Sequence, residues 1–412
     1  NGAGGATSAL GGSTASTATT LTAGTLQIEG SVSINKASSA FSFAGASVEN
    51  VSGTNTITMA SGTLNADTTI TTTAGTLTLA GAIGGALAND LNKFGTGTLE
   101  LTSTTSGYLG ITTIRAGTLK VAKLANAGAQ SSIGAPAAAQ ATIALGADGS
   151  TTLIHNGTTA DSTDRTITFA AGTGTTLTLD SSGTGSGAVT VAAGTFTISG
   201  VGTHTVTLTG TNSANNTFAR TIANTTDGGG GATAITKTGT NTWVITGSIT
   251  ATGLITCSAG TLNFGSTNRT PSGGLTVTGG TVAITNGNTI GANTTMSGGT
   301  VTAVLTGANT LTVQAGATEV APATLQPDDN TNGNNSLTGA VTISGCVDLI
   351  TPTSLAVTAA GKGRVLGTSN TVTVGSTGII RTRGGVVTAQ DGHARYYNLT
   401  LQNGAKMKIG FV

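Results

Sequence analysis

Residues 75–79, Gly75-Thr76-Leu77-Thr78-Leu79, set one glycine ahead of two threonine-leucine pairs. A period of two sends alternate side chains to opposite faces of a strand, so the leucines enter a core and the threonines face water. The same alternation returns in Thr166-Ile167-Thr168-Phe169, Thr205-Val206-Thr207-Leu208 and Thr371-Val372-Thr373-Val374. Gly-Thr followed by Leu, Phe or Val begins at Gly24, Gly62, Gly75, Gly97, Gly117, Gly194, Gly260, Gly280 and Gly299, at spacings of 38, 13, 22, 20, 77, 66, 20 and 19. Apart from the 13, each spacing is close to a multiple of 19 to 22. A unit of roughly 20 residues accommodates three short strands and three corners, and units of that size stack into solenoids. The expected fold is all-β: a right-handed parallel β-solenoid (β-helix) with roughly 20 residues per rung.

Composition agrees. The 412 residues include 65 Gly and 5 Pro, with 3% aromatic and 8% charged residues, which no compact aromatic core could use. Disordered chains are usually highly charged and poor in β-branched residues, and this chain is neither. No apolar run approaches the roughly 18 residues of a membrane helix, so no membrane insertion of this segment is expected. The chain opens on Asn1 rather than Met, so removal of a targeting peptide and secretion to the cell surface are expected. The best helical candidate, residues 122–140, contains Gly128, Gly134 and Pro136 and is read as an irregular excursion.

Two stretches carry a family resemblance. Lys93-Phe94-Gly95-Thr96-Gly97-Thr98-Leu99-Glu100-Leu101, with Tyr108-Leu109-Gly110 and Ile111-Thr112-Thr113-Ile114-Arg115-Ala116-Gly117-Thr118-Leu119, resembles the autotransporter-associated β-strand repeat of bacterial passenger domains. A looser copy runs from Lys237-Thr238-Gly239 through Trp243-Val244-Ile245-Thr246-Gly247 to Ala259-Gly260-Thr261-Leu262. Ser132-Ile133-Gly134 with Asp164-Arg165-Thr166-Ile167 is similar to linkers in those passengers. The resemblance implies a secreted surface solenoid, adhesive or self-associating, without catalytic residues. The membrane barrel of that family, with its aromatic girdles, does not match the aromatic-poor last third of this sequence. A barrel cleaved or omitted and a free-standing exported protein are both compatible with that.

The residues offer little chemistry, and no enzyme, metal or cofactor is expected. Asp161, Asp164 and Arg165, and Asp328 with Asp329, are the only close acidic groups, and they read as turn residues with a local ion pair. His155, His204 and His393 lack metal-ligand spacing, and the run Gly228 to Gly231 has no lysine to cradle a phosphate. Cys257 and Cys346 stand 89 residues apart, about four rungs, which is too far for a disulfide. Threonine recurs on many strands with no single register legible, so an ice-binding ladder is a distant alternative, as is a polysaccharide-active enzyme.

Charge is uneven. From Lys362 onward seven basic residues (Lys362, Arg364, Arg381, Arg383, Arg395, Lys406, Lys408) face one acid, Asp391; the local net is +6 in a chain of net +1, leaving −5 for residues 1–361. The charges form no dense patch with interleaved aromatics, so nucleic acid is not an expected partner. Residues 1–20 read as a low-complexity segment able to form an inter-subunit strand, 21–395 as the solenoid, and 396–412 as C-terminal strands forming a joint. The candidate self-association residues are Tyr396, Tyr397, Leu399, Leu401, Met407, Ile409, Phe411 and Val412, facing Glu29, Glu49 and Asp67 of the next copy. The expected partner is therefore the chain itself, in a head-to-tail homopolymer that forms a surface fibre. The alternative is a cell-surface adhesin that binds host, matrix or glycan, with cell-surface or matrix polysaccharide as a partner.

Overall fold

The computed structural model describes residues 18–170, 172, 174–185, 187–226, 231–284, 289–326, 336–351, 371–384 and 398–409. Among them there is no helix, and the strands pair in parallel, with one antiparallel bridge, Ser106 to Ser131. The chain is a parallel β-solenoid. It divides into two compact units, Asn1–Ala232 and Thr233–Val412.

In the first unit the alternation read at residues 75–79 becomes two side-by-side columns. Thr54, Thr76, Thr98, Thr118, Thr152, Thr178 and Thr207 are successive register partners on the outer face. One residue further on, Leu77, Leu99, Leu119, Leu153, Leu179 and Leu208 stack inside, each 5% exposed or less. Burying a leucine of this kind contributes about 1.5–3 kcal/mol, so the column is a main source of stability.

The second unit repeats the scheme with a longer outer column. Thr236, Thr256, Thr276, Thr295, Thr312, Thr342, Thr373 and Thr400 are successive partners over eight rungs. On a second sheet Thr242, Thr261, Thr281, Thr300 and Thr324 stack likewise. The expectation that threonine follows no single register is thus wrong. The cause is variable rung length. Thr312 follows its partner Thr295 closely, whereas Thr152 follows Thr118 only after twice as much chain, so loops of changing size hide an alignment that the strands keep. Nearly even steps do occur, as between Thr76, Thr98 and Thr118, but the uniform rung expected from the glycine spacings is not kept along the chain.

Glycine marks the corners. In six of the nine Gly-Thr tripeptides the glycine φ lies between +59° and +79°, a region closed to most side chains. At Gly75 a Cβ would also stand 2.1 Å from the carbonyl oxygen of Gly53 on the preceding rung.

The long step from Thr118 to Thr152 holds an excursion of turns between strands Gly117–Val121 and Thr142–Leu145. Arg165 secures it. Its guanidinium is buried and donates to the carbonyls of Ile133 (2.6 Å), Gly134 (2.8 Å) and Ala129 (3.3 Å) and to Ser131 Oγ (3.2 Å). Asp164 accepts from Ala127 N at 2.8 Å and Asp161 from Leu124 N at 2.9 Å. The three residues are therefore not a local ion pair in a turn. They tie the excursion to the body, and the two stretches that looked like passenger linkers meet through Arg165.

Candidate functional surfaces and buried polar groups

The proposed joint is partly described. Strand Asn398–Leu401 pairs with Thr371–Val374, and strand Lys406–Ile409 with Ile379–Gly384. Leu399 and Met407 are half-buried, Leu401 is 49% exposed, and the backbone of Ile409 is in register with Thr382. Tyr396, Tyr397, Phe411 and Val412 lie outside the described residues, as do Lys362, Arg364, Arg395, His393, Asp328 and Asp329.

Several charges on this surface have partners within the chain. Arg381 donates through Nε to Asp348 Oδ1 (2.5 Å), through a second nitrogen to Oδ2 (2.9 Å), and to the carbonyl of Glu319 (2.9 Å). Lys408 bonds the Glu319 carboxylate and holds its pKa below the usual carboxylate range. On the opposing side of the proposed contact, Glu49 accepts from Gln27 (2.8 Å) and Thr73 (3.2 Å), and Asp67 accepts from Asp90 N (2.9 Å). Glu29 is exposed, while Lys36 is fully buried. Asp67, Lys406 and Lys408 are exposed as well.

The sequence reading passed over the buried cations. Lys93 and Lys237 occupy equivalent places in the two repeat copies, both inward and at most 1% exposed. The Lys93 ammonium donates to the carbonyls of Phe94 (3.1 Å), Gly95 (2.6 Å) and Ala116 (3.0 Å). That of Lys237 donates to Thr238, to Gly239 (3.0 Å) and to Ala259 (3.3 Å). In each copy one ammonium clamps its own glycine corner and the alanine of the next Ala-Gly-Thr corner. Burial pushes both pKa values down to about 8. The signal in the sequence was Lys-x-Gly followed one rung later by Ala-Gly-Thr-Leu, present at both sites.

His155 and Asp161 form a buried pair, Nε2 to Oδ2 2.8 Å, and Asp161 also holds Leu124 N. With His155 1% exposed there is no access for a substrate, and the pair serves the excursion. Cys257 and Cys346 are free and buried. In register, Cys257 is followed by Val277, Met296, Val313 and Ile343, and the last of these shares its rung with Cys346. Burial raises the pKa of both thiols. Among the described residues no group of three or more His, Cys, Asp or Glu could hold a metal ion, and no helix is long and apolar enough to cross a membrane.

No family model matches the chain, and no solved structure matches it. In an alignment of 213 residues that covers 47% of the chain, it is 32% identical to the adhesin BmaC autotransporter of Brucella suis biovar 1 (strain 1330). It spans 6% of the length of that relative, so the likeness is to one stretch of a much longer protein.

Proposed function

We propose that this chain is a stretch of an exported cell-surface adhesin, a passenger-type solenoid whose long sides attach the cell to host, matrix or glycan. The observation that carries the reading is the similarity to an adhesin autotransporter over 213 residues, in a chain whose strands stack in parallel. The buried clamps Lys93 and Lys237 support it, since they show one physical purpose for the two stretches that resemble the autotransporter-associated repeat. An extracellular location and a non-enzymatic role belong to the same reading. The head-to-tail fibre is supported less, because Arg381, Lys408, Glu49 and Asp67 are engaged within their own units.

The test is attachment. The purified chain, coated on beads, should adhere to epithelial cells or to immobilised matrix and glycan well above albumin-coated beads. Binding at the albumin level on every surface would overturn the adhesin reading. Sedimentation separates the fibre: a single species over a wide concentration range excludes it, and growing polymers that vanish on deleting residues 396–412 would restore it.

A further inference from the structure

The threonine column from Thr236 to Thr400 has a property that strand propensity does not require. All eight side chains are half-buried or exposed, and none of their hydroxyls has a hydrogen-bond partner among the described residues. Positions two residues on, from Thr238 to Gln402, keep the same register through backbone bonds such as Thr278 N to Cys257 O (3.0 Å) and Gln402 N to Val374 O (2.9 Å). These positions hold only Thr, Ser, Gln and Gly. Positions two residues before, from Ala234 to Asn398, hold only Ala, Leu, Gly, Asn and Thr. The face thus has three columns without a charge or an aromatic ring.

Spacing follows from the backbone. Successive rungs lie about 4.8 Å apart, so seven steps carry the threonines over about 34 Å, and most of the flanking positions lie just beyond the strand ends. Ladders of like side chains hold a sheet flat against its natural twist. The first unit supplies a contrast. Its seven-threonine column runs beside one that contains the pair Lys120 and Glu100, 2.9 Å apart, and Asp180.

We propose that the charge-free threonine face of the second unit binds crystalline water. Each threonine offers a hydroxyl that both donates and accepts, beside a methyl group that favours caged water around it. Repeated at fixed intervals on a rigid sheet, these groups hold water oxygens at spacings in the range found on faces of hexagonal ice. A charge on the face would keep its own hydration shell and break the lattice, and none is present. A sugar chain would call for stacking rings, and the three columns have none. The inference rests on this register and not on the adhesin reading, and it stands or falls separately.

The experiment uses the purified full chain in three forms. Wild type should hold a growing ice crystal below the melting point and slow ice recrystallisation. Thr276→Lys with Thr295→Lys should lose both effects, whereas Thr98→Lys with Thr118→Lys in the first unit should keep them. Circular dichroism and melting temperature check the fold of each. A Thr276→Val with Thr295→Val pair, which keeps the methyl groups and suits a strand, should fold as wild type does and lose part of the activity. Recrystallisation in wild-type solution as fast as in buffer overturns the proposal, as does a folded Thr276→Lys/Thr295→Lys protein as active as wild type. Retention on crystalline cellulose with no effect on ice also overturns it and assigns the face to a solid polysaccharide.

Discussion

Lys93 and Lys237 show how one buried charge can join two rungs. Three carbonyl oxygens satisfy each ammonium, yet burial outweighs them and lowers the pKa from an ordinary value of about 10.4 to about 8. Between those two values the unfolded chain binds more protons than the folded one, so stability rises with pH across that window. Tyr108, Cys257 and Cys346 act in the opposite sense: burial raises all three, so from about pH 8.5 for the thiols and about pH 10 for the tyrosine the unfolded chain loses protons that the folded chain keeps. The lysine contribution is therefore read as a difference: from pH 8 to pH 10 the urea midpoint of wild type should gain on that of a Lys93→Met, Lys237→Met variant. At pH 7 that variant should be less stable by about 1–3 kcal/mol per clamp, since three buried carbonyls lose their donor at each site. A difference between the two midpoints that stays level from pH 8 to pH 10 would show that burial does not act on these lysines as described.

At the scale of the element, corners decide more than strands. Strand Thr76–Ala80 tolerates many β-formers, but Gly75 has φ +69° and a Cβ there would meet the Gly53 carbonyl at 2.1 Å. Gly24 opens an equivalent tripeptide with φ +79° and nothing within 4 Å. Gly24→Ala should thus cost about 1–2 kcal/mol from backbone strain alone. Gly75→Ala should cost clearly more, because the preceding rung must also move. Paired denaturation curves measure the difference, and equal losses would mean that the rung contact at Gly75 is soft. The excursion at 122–141 depends in the same way on one element outside it, through Arg165.

For the whole molecule, what matters is that each rung meets only its neighbours, so stability is close to a sum over rungs and interfaces. Each of the two units has its own internal columns, leucine in the first and Ile235, Ile255 and Leu275 at the start of the second. A fragment of residues 1–232 should therefore keep a β-type circular dichroism spectrum and a cooperative melt when expressed alone. A fragment that shows no folded signal would mean that the first unit depends on the rest of the chain. The same additive construction lets a short rung, Thr295 to Thr312, and a long one, Thr118 to Thr152, each continue its column unbroken.

The sequence by itself determined the class of fold, because a period of two, corner glycines and few aromatics leave a stacked parallel sheet as the way to bury Leu, Ile and Val. It also carried the two repeat copies in which Lys93 and Lys237 turned out to be equivalent. What only the tertiary structure decided is which residues share a column. Register across rungs is set by loop length as well as by strand pattern, and loops that differ as much as those between Thr295 and Thr312 and between Thr118 and Thr152 cannot be counted out from spacing alone. For that reason the eight aligned threonines were invisible in the sequence, and so was the engagement of Arg381 and Lys408 by Asp348 and Glu319, 33 and 89 residues away. Charge totals record how many groups a segment holds, whereas their partners depend on which strands the fold sets side by side.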